Sequence, residues 1–151
     1  MKMRHLAGVV LAVALSGCGI LIPIPVSMHL YPLQGPIAES NHGTVISADV
    51  VTDIFFSSVS VKLPDGETFE GPIPRVSASE PGTDDLASAW DYVYGPGYYV
   101  AAVLGAPSRN KAALKGSRSS TLFIDVIQVA PHAPGQGVAK DTNGNIFKVT
   151  A

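Results

Sequence analysis

Polar and apolar residues alternate most cleanly over Ser58-Val59-Ser60-Val61-Lys62-Leu63. A period of two sends one set of side chains to a buried face and the other to water, so this stretch predicts a half-buried strand. Pro64-Asp65-Gly66-Glu67 follows with turn chemistry, and Thr68-Phe69-Glu70-Gly71 returns, which makes a hairpin. Residues 44–52 are short and β-branched, the composition of a strand. Residues 112–115 and 121–129 predict a second hairpin around a turn at 116–120. Residues 137–140 and 146–150 predict a third, with Asn143-Gly144 at its tip. Residues 97–104 (GYYVAAVL) form an apolar run that predicts a further strand.

The period changes once. Leu86, Ala89, Trp90 and Val93 recur at helical spacing, with Asp84 placed to cap the start and Gly95 to end it. One short helix among many short strands predicts a mostly β domain, a small antiparallel sandwich or barrel. The 15 glycines and 12 prolines are spread along the chain, as turns between such strands require.

The N-terminal pattern is of another kind. Lys2 and Arg4 precede an unbroken apolar stretch over residues 6–15, too short to span a bilayer and of signal-peptide length. A transmembrane helix continuing to about Val26 is opposed by Pro23 and Pro25. Leu15-Ser16-Gly17-Cys18 closes the stretch and resembles the bacterial lipobox. The resemblance implies cleavage before Cys18, acylation of its thiol, and anchorage in a lipid bilayer. Each buried methylene contributes about 0.8 kcal/mol, so two or three acyl chains hold nearly permanently. Gly19 stands where, in lipoproteins of this kind, Asp commonly directs retention in the inner membrane. The resemblance therefore implies an envelope location, outer membrane rather than inner, facing the periplasm or the surface.

These patterns divide the chain into a signal peptide (1–17), a lipidated Cys18 with a proline-rich tether (18–40), and a β domain (41–151). About 105–115 residues are then left for one hydrophobic core, which is a common domain size. The 46% apolar content is inflated by the leader. Losing Lys2 and Arg4 from ten basic residues leaves eight against twelve acidic ones, a net charge of −4. That balance argues against nucleic acid as a partner. Cys18 is the one cysteine, so the domain rests on packing and strand pairing without disulfides.

Candidate chemistry is sparse. Asp141-Thr142-Asn143-Gly144-Asn145 begins like a calcium loop but has Ile146 where the EF-hand needs glycine, and it suits a hairpin turn better. Gly95-Pro96-Gly97 and Gly135-Gln136-Gly137 lack the rest of a phosphate-binding pattern. His5, His29, His42 and His132 are not paired at metal-ligand spacing, and the serines have no nucleophile-elbow context. No catalytic residue, cofactor or metal is expected. Arg109, Lys111, Lys115 and Arg118 form a basic cluster, read as a solvated strand edge or a contact for anionic headgroups. Trp90, Tyr92, Tyr94, Tyr98 and Tyr99 gather five aromatics in ten residues: an interaction patch if exposed, core if buried.

The segment 135–149, the hairpin at 64–71 and Leu33-Gln34-Gly35-Pro36 together resemble a group of small proteobacterial lipoproteins. Members end in a glycine-rich strand, an Asp-x-x-Gly turn and an aromatic-bearing last strand, and the group has no established activity. Ala139-Lys140 stands where some members carry a second cysteine. The expectation is a non-enzymatic envelope module, structural or bound to an envelope protein. The alternative is a small lipoprotein that captures a ligand or inhibits an enzyme.

Overall fold

The computed structural model describes residues 24–52, 57–77, 86–130 and 133–151. The expected signal peptide, Cys18 and the Asp84 cap lie outside them. Eight antiparallel strands follow in chain order around a closed barrel: β1 Ile24–Gln34, β2 Ile46–Thr52, β3 Ser57–Lys62, β4 Thr68–Pro72, β5 Ser108–Gly116, β6 Thr121–Gln128, β7 Gln136–Asp141 and β8 Ile146–Thr150. The three expected hairpins are β3–β4, β5–β6 and β7–β8.

Period-two burial lines the interior, and the β1–β8 ladder closes the wall around it. Met28 and Leu30, Ile46 and Ala48, Val59 and Val61, Leu114, Leu122, Ile124, Phe147 and Val149 are buried in one core cluster, which also contains Phe69. The intervening Ser47, Asp49, Ser58, Ser60, Lys62, Glu70 and Lys115 are exposed. Apolar-in and polar-out is the reverse of a barrel whose wall faces lipid. An eight-stranded barrel encloses just enough space for side chains to fill, and here they fill it. No helix among the described residues is long and apolar enough to cross a membrane.

Two expectations are corrected. The tether does not extend to residue 40: from Ile24 onward the chain is β1, the longest strand, paired with β2 on one side and β8 on the other. Its prolines suggested a spacer, but the three among the described residues occupy sites that tolerate a missing N–H. Pro25 is exposed near the strand's start, Pro32 adjoins the register shift in the β1–β8 ladder, and Pro36 opens a helix. The second correction concerns residues 97–104, which form a π-helical turn, Tyr99–Val103, instead of a strand. Gly95 and Gly97 both hold positive φ, and the Asp91 carboxylate accepts the Tyr99 N–H at 3.0 Å, so the chain coils back before it can extend.

Helix α1 (Pro36–Ser40) closes one end of the barrel, with Ile37 buried in the main core. Asn145 Oδ1 accepts the Ile37 N–H at 2.9 Å, and Asn145 Nδ2 donates to Asp141 Oδ2 at 2.6 Å. Asp141 Oδ1 accepts the Asn143 and Asn145 amides at 2.9 Å each. The expected Asp-x-x-Gly turn thus doubles as the latch for α1. Gly35 makes this closure possible: at φ +95° a Cβ there would sit 2.6 Å from the Gly144 carbonyl.

Helix α2 (Leu86–Tyr94) packs outside the barrel on β7 and β8. Leu86, Ala89 and Trp90 are its buried face, as the spacing predicts, and Gly95 ends it with its amide bonded to the Asp91 carbonyl.

Candidate functional site

Strand alternation fails where α2 and the π-turn lie on the wall. In β6 both Ile124 and Asp125 are buried, and in β7 Gly137, Val138 and Ala139 are buried in succession. The outward side chains there form a second core: Leu86, Ala89, Trp90, Val103, Ala106, Ile127 and Val138. Two ions are sealed beneath it. Asp125 is 0% exposed and Arg109 is 1% exposed.

The pair is fully engaged. Arg109 Nε donates to Asp125 Oδ1 at 2.9 Å, and its Nη2 donates to Oδ2 at 2.7 Å. This is the two-pronged geometry in which arginine binds carboxylates best. Trp90 Nε1 donates to the same Oδ2 at 2.9 Å, and Arg109 Nη2 reaches the Tyr99 hydroxyl at 3.3 Å. The Arg109 guanidinium also lies 5.5 Å from the Tyr99 ring centroid. Its bond to Asp125 holds the Arg109 pKa above the ordinary arginine value, against the opposing effect of burial.

The aromatic cluster divides. Trp90 is core, stacked within 5.9 Å of Tyr98 and tilted 5.2 Å from Tyr94, and Tyr94 and Tyr98 stack at 4.8 Å. The Tyr94 hydroxyl donates to the Gly137 carbonyl at 3.2 Å, and that of Tyr98 donates to Gln136 Oε1 at 2.8 Å. Tyr92 alone stands free, at 55% exposure. The cluster is therefore mainly the clamp that fixes α2 to the barrel, with one exposed ring.

Burial pushes the Tyr94 phenol above its ordinary value of 10.0. The folded chain favours the neutral form, so the contribution is complete below the unfolded pKa and is lost as pH rises through the folded one. A phenolate absorbance titration is expected to show a late-ionising tyrosine, removed by Tyr94→Phe. A wild-type curve without that late step would refute the assignment. Asp91 moves the other way: backbone amides, that of Tyr99 foremost, hold its carboxyl below the usual range.

The other candidate residues are scattered. His29 is on β1 beside Ser47 and Thr150, His42 is exposed beyond α1, and His5 and His132 lie outside the described residues. Among the described residues no group of His, Cys, Asp and Glu could hold a metal ion. The basic cluster also splits, because Arg109 is buried while Lys115 and Arg118 are exposed. Glu67 is buried at the latched end, where it accepts the Arg118 amide at 3.2 Å and the Ser120 hydroxyl.

The Arg109–Asp125 pair was missed by sequence reasoning. Its signal was an acid set between the apolar runs Leu122-Phe123-Ile124 and Val126-Ile127. Chemically, the arrangement is one of closure. A general acid or base must reach a substrate proton, and both Asp125 oxygens are occupied by donors within the fold. No protein-family model matches the chain, and no curated protein or solved structure matches it.

Proposed function

We propose that the protein is an envelope lipoprotein, anchored through acylated Cys18, whose barrel is a non-catalytic structural or protein-interaction module. The observation that carries this reading is Leu15-Ser16-Gly17-Cys18 at the end of a signal-length apolar stretch. The position of β1 supports it: the barrel begins at Ile24, six residues after Cys18. A polar outer wall suits a domain held beside a membrane in water. The filled lumen weighs against ligand capture inside the barrel, with Leu30, Phe69 and Phe147 each 0% exposed. Internal pairing of Asp125, Asp141 and Glu67 supports a structural role for the buried acids. Gly19 after the cysteine favours the outer membrane.

Intact mass combined with membrane fractionation tests the anchor. The wild-type chain is expected at the mass of residues 18–151 plus acyl groups and in the membrane fraction. Cys18→Ser is expected to lose both. An uncleaved, unmodified chain that stays in the membrane fraction as Cys18→Ser would overturn the reading.

A further inference from the structure

The latch that holds α1 runs through a chemically labile dipeptide. Asparagine is a thermolabile residue, and the chain has four, Asn41, Asn110, Asn143 and Asn145. Cyclisation brings the next residue's amide nitrogen onto the side-chain carbonyl carbon, and a following glycine, lacking Cβ, obstructs that approach least. Asn143 is followed by Gly144, whereas His42, Lys111 and Ile146 follow the others. The fold restrains two of those further. The Lys111 amide is held by the Pro74 carbonyl at 3.1 Å, and Asn145 is 2% exposed with both ends of its side chain bonded. Asn143 is exposed, and its carboxamide bonds to no described residue. The Gly144 amide reaches the Asp141 carbonyl only at 3.3 Å, and a Cβ on Gly144 would meet nothing within 4 Å. Asn143 also borders a groove of about 430 Å³ beside α1, which gives water a route to it. At the neighbouring Asp65-Gly66 the Gly66 amide is held by the Leu63 carbonyl at 2.9 Å, and a carboxylate is the poorer electrophile.

We infer that Asn143 is a self-modification site: cyclisation onto Gly144 followed by hydrolysis converts it to isoaspartate, and the conversion releases α1 from the β7–β8 turn. The Gly144 nitrogen gives its proton to solvent base and bonds to Asn143 Cγ. The Cγ–Nδ2 bond breaks, and ammonia leaves with a proton from water. A second water then opens the cyclic imide. Addition at the Asn143 main-chain carbonyl breaks its bond to the Gly144 nitrogen and routes the backbone through Cβ and Cγ. Addition at Cγ gives aspartate instead. The balance is one water consumed and one ammonia released, with no oxidant or reductant.

Isoaspartate lengthens the main chain by a methylene between two amides that one carboxylate oxygen now holds. Asp141 Oδ1 accepts the Asn143 and Asn145 amides at 2.9 Å each, which depends on their present spacing. Asn145 in turn donates to Asp141 Oδ2 at 2.6 Å and accepts the Ile37 N–H at 2.9 Å. The freed carboxylate adds a negative charge near the buried Asp141, and like charges disfavour one another. Nearby packing leaves no slack for the shift. A Cβ on Gly35 would sit 2.6 Å from the Gly144 carbonyl and 2.8 Å from Asn145 Cα. The Ile37 N–H therefore loses its acceptor. This inference concerns the barrel alone and stands apart from the reading of Cys18.

The test ages the purified full-length chain in detergent at mildly alkaline pH. Peptides digested under acidic conditions are then mapped for isoaspartate by electron-transfer fragmentation. Conversion is expected first at residue 143, ahead of the other three asparagines. Amide exchange read by NMR is expected to quicken at Ile37 in the aged protein by about five- to tenfold, the worth of one hydrogen bond. Asn143→Ser removes the reacting carboxamide and is expected to keep Ile37 exchange at its fresh value through the same incubation. No isoaspartate at 143, or earlier conversion at another asparagine, would overturn the site. Isoaspartate at 143 with unchanged Ile37 exchange, or equal quickening in Asn143→Ser, would overturn the release of α1.

Discussion

Asp125→Ala is expected to remove about 3–5 kcal/mol of stability, because it leaves the Arg109 guanidinium buried without its counter-ion. Such a loss is a large share of the 5–15 kcal/mol typical of a domain. Urea denaturation followed by far-UV circular dichroism measures it. Trp90 supplies a local reading, since its indole N–H loses the acceptor it now holds at 2.9 Å. Should Asp125→Ala fail to fold, Asp125→Asn keeps the volume and removes only the charge. The double change Arg109→Met with Asp125→Leu is expected to recover much of the loss, since apolar pairs of similar volume often replace buried ion pairs with little penalty. A single variant within about 0.5 kcal/mol of wild type, the range of surface changes, would show that the pair does not secure α2 to the barrel.

Phe147→Ala is the second large effect, expected at about 3–5 kcal/mol through lost apolar burial plus the cavity left behind. Phe147 is 0% exposed and points into the lumen from β8, registered against Pro32 of β1 and Ala139 of β7. All three elements lie at the barrel's closing seam, where the β1–β8 register shift already limits repacking. Thermal unfolding measures the change, at roughly 3–6 °C per kcal/mol for a domain of this size. Tyr92→Ala on exposed α2 surface is the matched control and is expected within about 0.5 kcal/mol of wild type. A Phe147→Ala midpoint as close to wild type as that of the control would mean the lumen is not packed around this ring.

The three hairpins were legible because two independent signals agreed there, alternation in the strands and Gly, Asn or Asp in the turns. Helix α2 was legible because Leu86, Ala89 and Trp90 keep one face and Gly95 stops it. Barrel and sandwich could not be separated by pattern, because both present one apolar face per strand. What separates them is whether β1 meets β8, a pairing between residues over a hundred positions apart. β1 itself was hidden by proline, which reports a missing N–H and not the presence of a bulge or an exposed end where that loss is harmless. The π-turn was hidden for the converse reason: an apolar run of eight fits a buried strand and a buried coil equally well. Of the aromatic cluster, sequence gave the membership, while burial under α2 decided which rings remain outside. Arg109 looked like one of four surface cations because its partner, Asp125, stands on another strand, at a diagonal position in the ladder.

The seam between β1 and β8 also governs how the chain acquires its fold. Joining the first strand to the last requires the largest loop closure in the barrel, and such distant pairings slow folding. A chain emerging from its N-terminus can form the β1–β2 and β3–β4 hairpins early, but it has no partner for the far side of β1 until residues 146–150 arrive. Until then β1 and the newest strand both present unpaired backbone, the template on which chains associate wrongly. Final closure therefore waits on β8, and a product shortened before Ile146 lacks the strand that covers the far side of β1.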